Sequence, residues 1–156
     1  MPGEASLAAA AYYAHPRNAF WPIMGALFGA GPALPYPERL ARLTASGVAL
    51  WDVIAACERD GSLDSAIAPD SVEANDFARL FRDCPCITHV FFNGTAAEAA
   101  FRRHVRGHIA LPPTLQFTRL PSTSPAHAAR GFDAKLAAWQ AVRNATTPSF
   151  SAAQAA

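Results

Sequence analysis

Lysine is nearly missing from this chain: of 13 cationic residues, 12 are Arg and the one lysine is Lys135. Arg grips phosphate bidentately but does not become a neutral amine nucleophile, so any Schiff-base chemistry would rest on Lys135 alone. Cysteine is scarce as well. Cys57, Cys84 and Cys86 cannot pair completely and do not supply the thiolates of an iron–sulfur cluster. They read as reduced, buried thiols of a cytoplasmic protein. Cys84-Pro85-Cys86 is too tight and too poorly partnered for zinc, so neither a metal nor a cofactor is expected. No apolar run approaches the ~20 residues that cross a bilayer, and no membrane partner is expected. Residues 1–11 superficially resemble a secretory leader, but they lack a basic start and carry Glu4. An excess of one charge is also absent. A formal net charge of +1 argues against non-specific coating of nucleic acid, yet it leaves room for a local basic groove.

What is present is apolar. With 156 residues, 51% hydrophobic and 16% charged, the chain suits one domain that buries roughly 70% of its extended surface. It is too apolar to stay disordered. No repeat or linker divides it, so the domain is placed at 1–147, with a small, polar, fraying tail at 148–156. Residues 1–18 read as a functional loop, because Pro2, Gly3, Pro16 and the paired tyrosines break either regular period. A helix over 20–28 stops at Gly29, and Pro37 opens another that Gly47 closes. Residues 48–54 are a strand candidate, and a short helix follows over 76–81. The β-branched and aromatic run 87–92 predicts a strand, and Asn93-Gly94 a turn. Thr95-Ala96-Ala97-Glu98 has capping-box spacing for a helix over 96–105. A third strand covers 115–120, and a last helix covers 133–143 with Leu136 and Trp139 on one face.

Strands alternating with helices predict a three-layer α/β/α fold around a short central parallel sheet. In such sheets the ligand crevice lies beyond the carboxyl ends of the strands. Three segments are expected to converge there: residues 12–21, Phe92-Asn93-Gly94, and residues 120–127.

The first of them, Tyr12-Tyr13-Ala14-His15-Pro16-Arg17-Asn18-Ala19-Phe20-Trp21, resembles the YAHPxNxFW stretch of the uracil-DNA glycosylase superfamily. The chain as a whole resembles the hypoxanthine-DNA glycosylase (deoxyinosine glycosylase) family within it. Further matching pieces are Met1-Pro2-Gly3 with Ser6-Leu7, Leu50-Trp51-Asp52-Val53-Ile54, and Gly61-Ser62-Leu63-Asp64-Ser65. Asn75-Asp76-Phe77, Phe91-Phe92-Asn93-Gly94 and Leu120-Pro121-Ser122-Thr123-Ser124-Pro125-Ala126-His127 complete them, in family order. The resemblance implies four strands, of which three are legible. The superfamily's first motif, G-x-x-P-G, follows its first strand, and this chain begins at the third position with Met1-Pro2-Gly3. The first strand is therefore expected to be missing from the sheet.

The resemblance also implies a site. Mismatch-specific relatives carry a water-positioning Asn where Met1 stands, and a thioether orients water poorly, so the task is expected to move to Asn18. Asn18 equally suits a cap for the helix that begins at Phe20. Tyr13 is expected to stack on an extruded base, with Phe20 or Trp21 packing behind the loop and Phe20 counted among the base-binding residues, while His15 hydrogen-bonds the base or a phosphate and Asn93 reads the base edge. A core aromatic, a loop-fixing His and an Asn-Gly turn are the alternatives for these positions. Pro2, Gly3, Ser122, Thr123, Ser124 and His127 are expected to contact DNA backbone. Ser124 also suits a cap, and Arg102, Arg103, His104, Arg106 and His108 read as a solvated helix end.

The function implied is excision of hypoxanthine from deoxyinosine in DNA by a monomeric enzyme. Excision of uracil, or binding of lesions without catalysis, are the alternatives. A serine hydrolase built on Ser124 and His127 finds no G-x-S-x-G elbow in the sequence.

Overall fold

The computed structural model describes residues 3–60 and 67–146. Met1, Pro2, the 61–65 motif and the tail expected to fray lie outside them. In chain order the elements are α1 (Glu4–Ala8), α2 (Phe20–Phe28), α3 (Tyr36–Ala45), β1 (Ile54–Ala56) and β2 (Glu73–Ala74). They continue as α4 (Phe77–Asp83), β3 (His89–Asn93), α5 (Thr95–His104), β4 (Gln116–Leu120) and α6 (Phe132–Thr146).

Strands β3 and β4 pair in parallel, from His89 opposite Gln116 to Asn93 opposite Leu120. Because side chains alternate across a strand, each strand feeds two cores. Val90, Phe92, Leu115 and Phe117 join Phe77, Phe81 and Phe101 on the side of α4 and α5. Phe91 and Leu120 join Phe20, Trp21, Ile23, Met24, Leu27, Trp139 and Val142 on the side of α2 and α6. The three-layer α/β/α expectation is thus borne out. Helix α2 carries most of the second core, and each large apolar side chain buried there contributes about 1.5–3 kcal/mol. Pro22 is tolerated in its first turn, where backbone N–H groups have no partner within the helix. Gly29, at φ +69°, ends the helix in the left-handed conformation expected of it.

Four local expectations are corrected. Residues 1–18 are not wholly irregular, since Glu4–Ala8 is helical and Ser6 Oγ braces the following loop by accepting from Ala14 N–H at 3.2 Å. The 48–54 strand does not form as a third parallel strand. Val48 N–H donates to the end of α3 at Leu43, and Asn75 takes the Val53 and Asp52 carbonyls, so the edge is spent. Only Ile54–Ala56 pairs, antiparallel to β2. The capping box at Thr95 is not made either. Gly94, at φ +93°, holds the N-cap position, and Glu98 reaches Arg119 at 3.0 Å instead. Finally, the cysteines are free but not buried: Cys84 and Cys86 are exposed at the end of α4, and Cys57 is half-buried.

Candidate active site

The three expected segments do meet, at the carboxyl ends of β3 and β4. Asn93 ends β3 and is the central clamp. Its Oδ1 accepts from Thr123 N–H at 2.8 Å, and its Nδ2 donates to Thr123 Oγ1 at 2.8 Å. The Thr123 carbonyl accepts from Ala19 N–H at 3.0 Å, tying the same loop to the start of α2. Gly94 lets the strands' ends approach. A side chain there would sit 2.8 Å from Ser122 Cβ, and the φ is one that L-residues avoid. Trp139 Nε1 donates to the Pro121 carbonyl at 2.9 Å, so α6 holds the loop from behind.

The first segment closes over this clamp. Tyr13 sits at φ +54°, a strained backbone for a tyrosine, of order ~1–3 kcal/mol. Its ring stacks on Phe20 with centroids 4.0 Å apart and 23° between planes. Burial pushes the Tyr13 hydroxyl pKa up; a hydrogen bond with Asn93 opposes that shift, and the charge of Asp52 adds to it. Tyr12 is held at three points. Its N–H donates to Tyr36 Oη at 3.0 Å, its carbonyl accepts from Trp21 Nε1 at 2.8 Å, and its hydroxyl bonds Asp52. Burial first, then Asp52, pushes the Tyr12 pKa up to about 12.

Asn18 is half-buried at the mouth of α2, and its Oδ1 accepts from Phe20 N–H at 3.0 Å. The amide therefore does act as a cap. A carboxamide oxygen has two lone pairs, and among the described residues the second one and both N–H donors of Nδ2 have no hydrogen-bond partner. The cap fixes the orientation of a group that keeps most of its hydrogen-bonding capacity. His15 Nδ1 accepts from Arg17 N–H at 3.1 Å, which shapes the turn before Asn18.

Two expected contact residues are corrected. Phe20 is 2% exposed, covered by Tyr13 and edge-on to Trp21 and Trp139, so it backs the rim and does not meet a ligand. Thr123 is 1% exposed, with its N–H, hydroxyl and carbonyl all engaged, so it holds the loop without presenting a hydroxyl. Ser122 and Ser124 remain half-buried on the loop surface. Ser122 Oγ accepts from Ser124 N–H at 3.2 Å, and Ser124 Oγ from Ala126 N–H at 3.2 Å. His127 is exposed beside them. Gly3 caps α1, its carbonyl accepting from Ser6 and Leu7.

Sequence reasoning assigned no site role to Asp52, Tyr36 or Trp139, the last being placed only on the apolar face of its helix, and it weighed Lys135 only as a Schiff-base lysine. For Lys135 a signal existed: it stands four residues before Trp139, and so on the helical face where only apolar residues were expected. Nothing comparable marks Asp52 or Tyr36, which meet Tyr12 from separate parts of the chain. Among the described residues no three His, Cys, Asp or Glu side chains gather as a metal site. No helix there is long and apolar enough to cross a membrane. A cleft of about 590 Å³ lined by Leu27, Gly29, Ser46, Arg143 and Thr146 lies at the opposite end of α2 from this rim.

No family model matches the chain. It is 36% identical over 95 residues to the hypoxanthine DNA glycosylase of Methanosarcina barkeri, covering 60% of this chain and 59% of that protein. It is 35% identical over 98 residues to the hypoxanthine DNA glycosylase of Methanosarcina acetivorans, covering 62% and 61% respectively. The chain thus matches about three fifths of the length of these curated relatives. In fold it is similar to the solution structure of a candidate uracil DNA glycosylase from Methanosarcina acetivorans. That match has a TM-score of 0.72 and 29% identity, over 93% of this chain and 85% of the other. The resemblance to the hypoxanthine-DNA glycosylase family of the uracil-DNA glycosylase superfamily is thereby borne out, in sequence and in fold.

Proposed function

We propose that the chain is a monomeric, cytoplasmic DNA glycosylase that hydrolyses the N-glycosidic bond of deoxyinosine, releasing hypoxanthine and leaving an abasic site without any cofactor. The observation that carries this reading is the meeting of Tyr13, Asn18, Asn93 and the 121–127 loop at one sheet edge, in a chain similar to hypoxanthine DNA glycosylases.

A base inside a duplex is out of reach, so the nucleotide is turned out at a cost of a few kcal/mol, less for an imperfectly paired base such as hypoxanthine. The flipped base stacks on the outer face of Tyr13, which Phe20 backs. The Tyr13 hydroxyl and Asn93 lie at its edge, with His15 beside the turn. Asn18 holds a water through the free lone pair of Oδ1, and as the sugar gains oxocarbenium character this water attacks C1′. The amide needs no particular protonation state for that task. Ser122, Ser124 and His127, on a loop that Thr123 holds still, contact phosphates beside the flipped nucleotide, and Pro2 and Gly3 at the start of the chain contact the backbone as well.

The test is single-turnover cleavage of matched duplexes carrying inosine, xanthine or uracil, read after alkaline treatment. Asn18→Ala should lose about 10²–10³ in rate with DNA binding retained, the usual effect of removing one preorganised polar group. An unchanged rate refutes the role. Ser122→Ala and Ser124→Ala should weaken binding and leave the rate of the bound complex nearly intact. A second reading, excision of uracil, is favoured by the name of the structural neighbour; faster cleavage of the uracil duplex would select it. Tight binding of inosine DNA with no base release would make the chain a lesion-binding module.

A further inference from the structure

Lys135 is one of two polar or charged residues in the described interior, 5% exposed, and the other is Thr123. It stands one turn before Trp139 on α6, and both side chains reach the same loop. Trp139 holds the Pro121 carbonyl, while Lys135 Nζ lies 3.5 Å from the Ser124 carbonyl. Among the described residues that carbonyl is its only hydrogen-bond acceptor, and no carboxylate is within ion-pair distance. An ammonium has three donors, and one contact at the limit of hydrogen-bond length leaves it largely unsatisfied. Taking such an ion out of water costs several kcal/mol, which a counter-ion normally returns. Leucine or methionine would fill the same space without that cost. The deficit is one of negative charge, and it lies against the backbone of the serine loop at Ser124.

We infer that Lys135 is a buried countercharge for a phosphodiester of the bound strand, acting through the loop that carries Ser122 and Ser124. An anion seated on that loop lies one layer of protein from the ammonium. Across that layer the attraction is not screened as it is between surface charges. Lys135 is a positioning residue in this scheme. Its cation holds the Ser124 carbonyl in the free protein and adds attraction once DNA is present. The inference rests on the glycosylase reading for the class of its ligand, but not for the chemistry at the base.

The experiment is the salt dependence of affinity for a duplex bearing an uncleavable abasic analogue. Each neutralised phosphate contributes about 0.9 to the slope of log affinity against log salt. Lys135→Met and Lys135→Gln should each flatten the slope by about that amount, and Lys135→Arg should restore it. Glutamine can still donate to the Ser124 carbonyl, so a wild-type slope and affinity in Lys135→Gln would reduce Lys135 to a tether and overturn the proposal. Should Lys135→Met fail to fold, the Gln and Arg variants carry the same comparison. If the wild-type protein binds the duplex but releases no hypoxanthine from inosine DNA, the glycosylase reading fails while the slopes still decide Lys135. Absence of any DNA binding overturns both.

Discussion

The two faces of the β3–β4 sheet bury similar rings to different ends. Toward α4 and α5 the rings are Phe77, Phe81, Phe92, Phe101 and Phe117, at 5.2–6.1 Å in stacked, tilted and edge-on pairs, none of which carries a polar atom; only at the margin do Trp51 and the Arg106 guanidinium meet Phe77 and Phe117. Toward α2 and α6, Phe20 is surrounded by Tyr13, Trp21 and Trp139, with Tyr12 and Tyr36 beyond. Each of those tyrosines and tryptophans uses its polar end on a loop or a loop-anchoring side chain: Trp21 on Tyr12, Tyr36 on Tyr12, Tyr12 on Asp52, Tyr13 on Asn93, Trp139 on Pro121. Both faces contribute hydrophobic burial. Only indoles and phenols turn that burial into the placement of chain segments, because each is apolar along its body and hydrogen-bonds at its tip. The candidate site lies on that side for this reason.

The comparison can be broken by removing one ring from each face. Phe101→Ala should cost the most, about 3–5 kcal/mol in urea unfolding, because a fully buried ring at the centre of the Phe cluster leaves a cavity. The molecules that remain folded should excise at the parental rate; a drop in that rate would join the two faces functionally. Trp139→Phe keeps most of the volume but leaves the Pro121 carbonyl without its donor, for about 1–3 kcal/mol. Here the affinity for inosine DNA should fall as well, measured on the folded protein at low temperature. If Trp139→Phe lowers stability alone, the polar ends of the rings place nothing and the contrast is lost.

The smallest effect is confined to alkaline solution. Tyr12 ionises near 10.0 when unperturbed and near about 12 in the folded protein. Its folded value is the higher one, so the stability it contributes is complete below pH 10.0 and is lost as pH rises toward about 12. Tyr12→Phe should remove that part of the alkaline decline, with thermal unfolding followed from pH 9 to pH 12. A variant that declines as steeply as the parent over that window would detach Tyr12 from Asp52.

Much of this was legible in the residues. The helix over 20–28 emerged with the bounds read from Phe20 and Gly29, since a dense apolar run and a terminal glycine act locally. Strands β3 and β4 lie within about two residues of their expected positions for the same reason, β-branched and aromatic runs bounded by turn formers. The 48–54 strand misled because its hydrophobicity is that of a connector lying against the core, with Val48, Leu50 and Val53 half-buried and Trp51 exposed. Its hydrogen bonds go to Asn75 and to the end of α3, neither of which a local pattern reveals. In the site, Asn18 and Asn93 were marked by residue type and motif. The roles of Phe20 and Thr123 were misjudged because burial, not chemistry, decides whether a side chain meets a ligand.

By itself the sequence determined the layer architecture, the edge of the sheet on which a site would form, and the amide and hydroxyl chemistry available there. These follow from periodicity, turn residues and side-chain type, which act over a few positions. The tertiary structure alone decided that Thr123 is a keystone, that Tyr13 covers Phe20, and that the lone lysine lies buried against the Ser124 carbonyl with no carboxylate beside it among the described residues. Each depends on groups brought together from distant parts of the chain, such as Asn93 and Thr123 at 30 residues' separation. Their approach is fixed by the register of a parallel strand pair and by the helices packed across it, and no local preference encodes either.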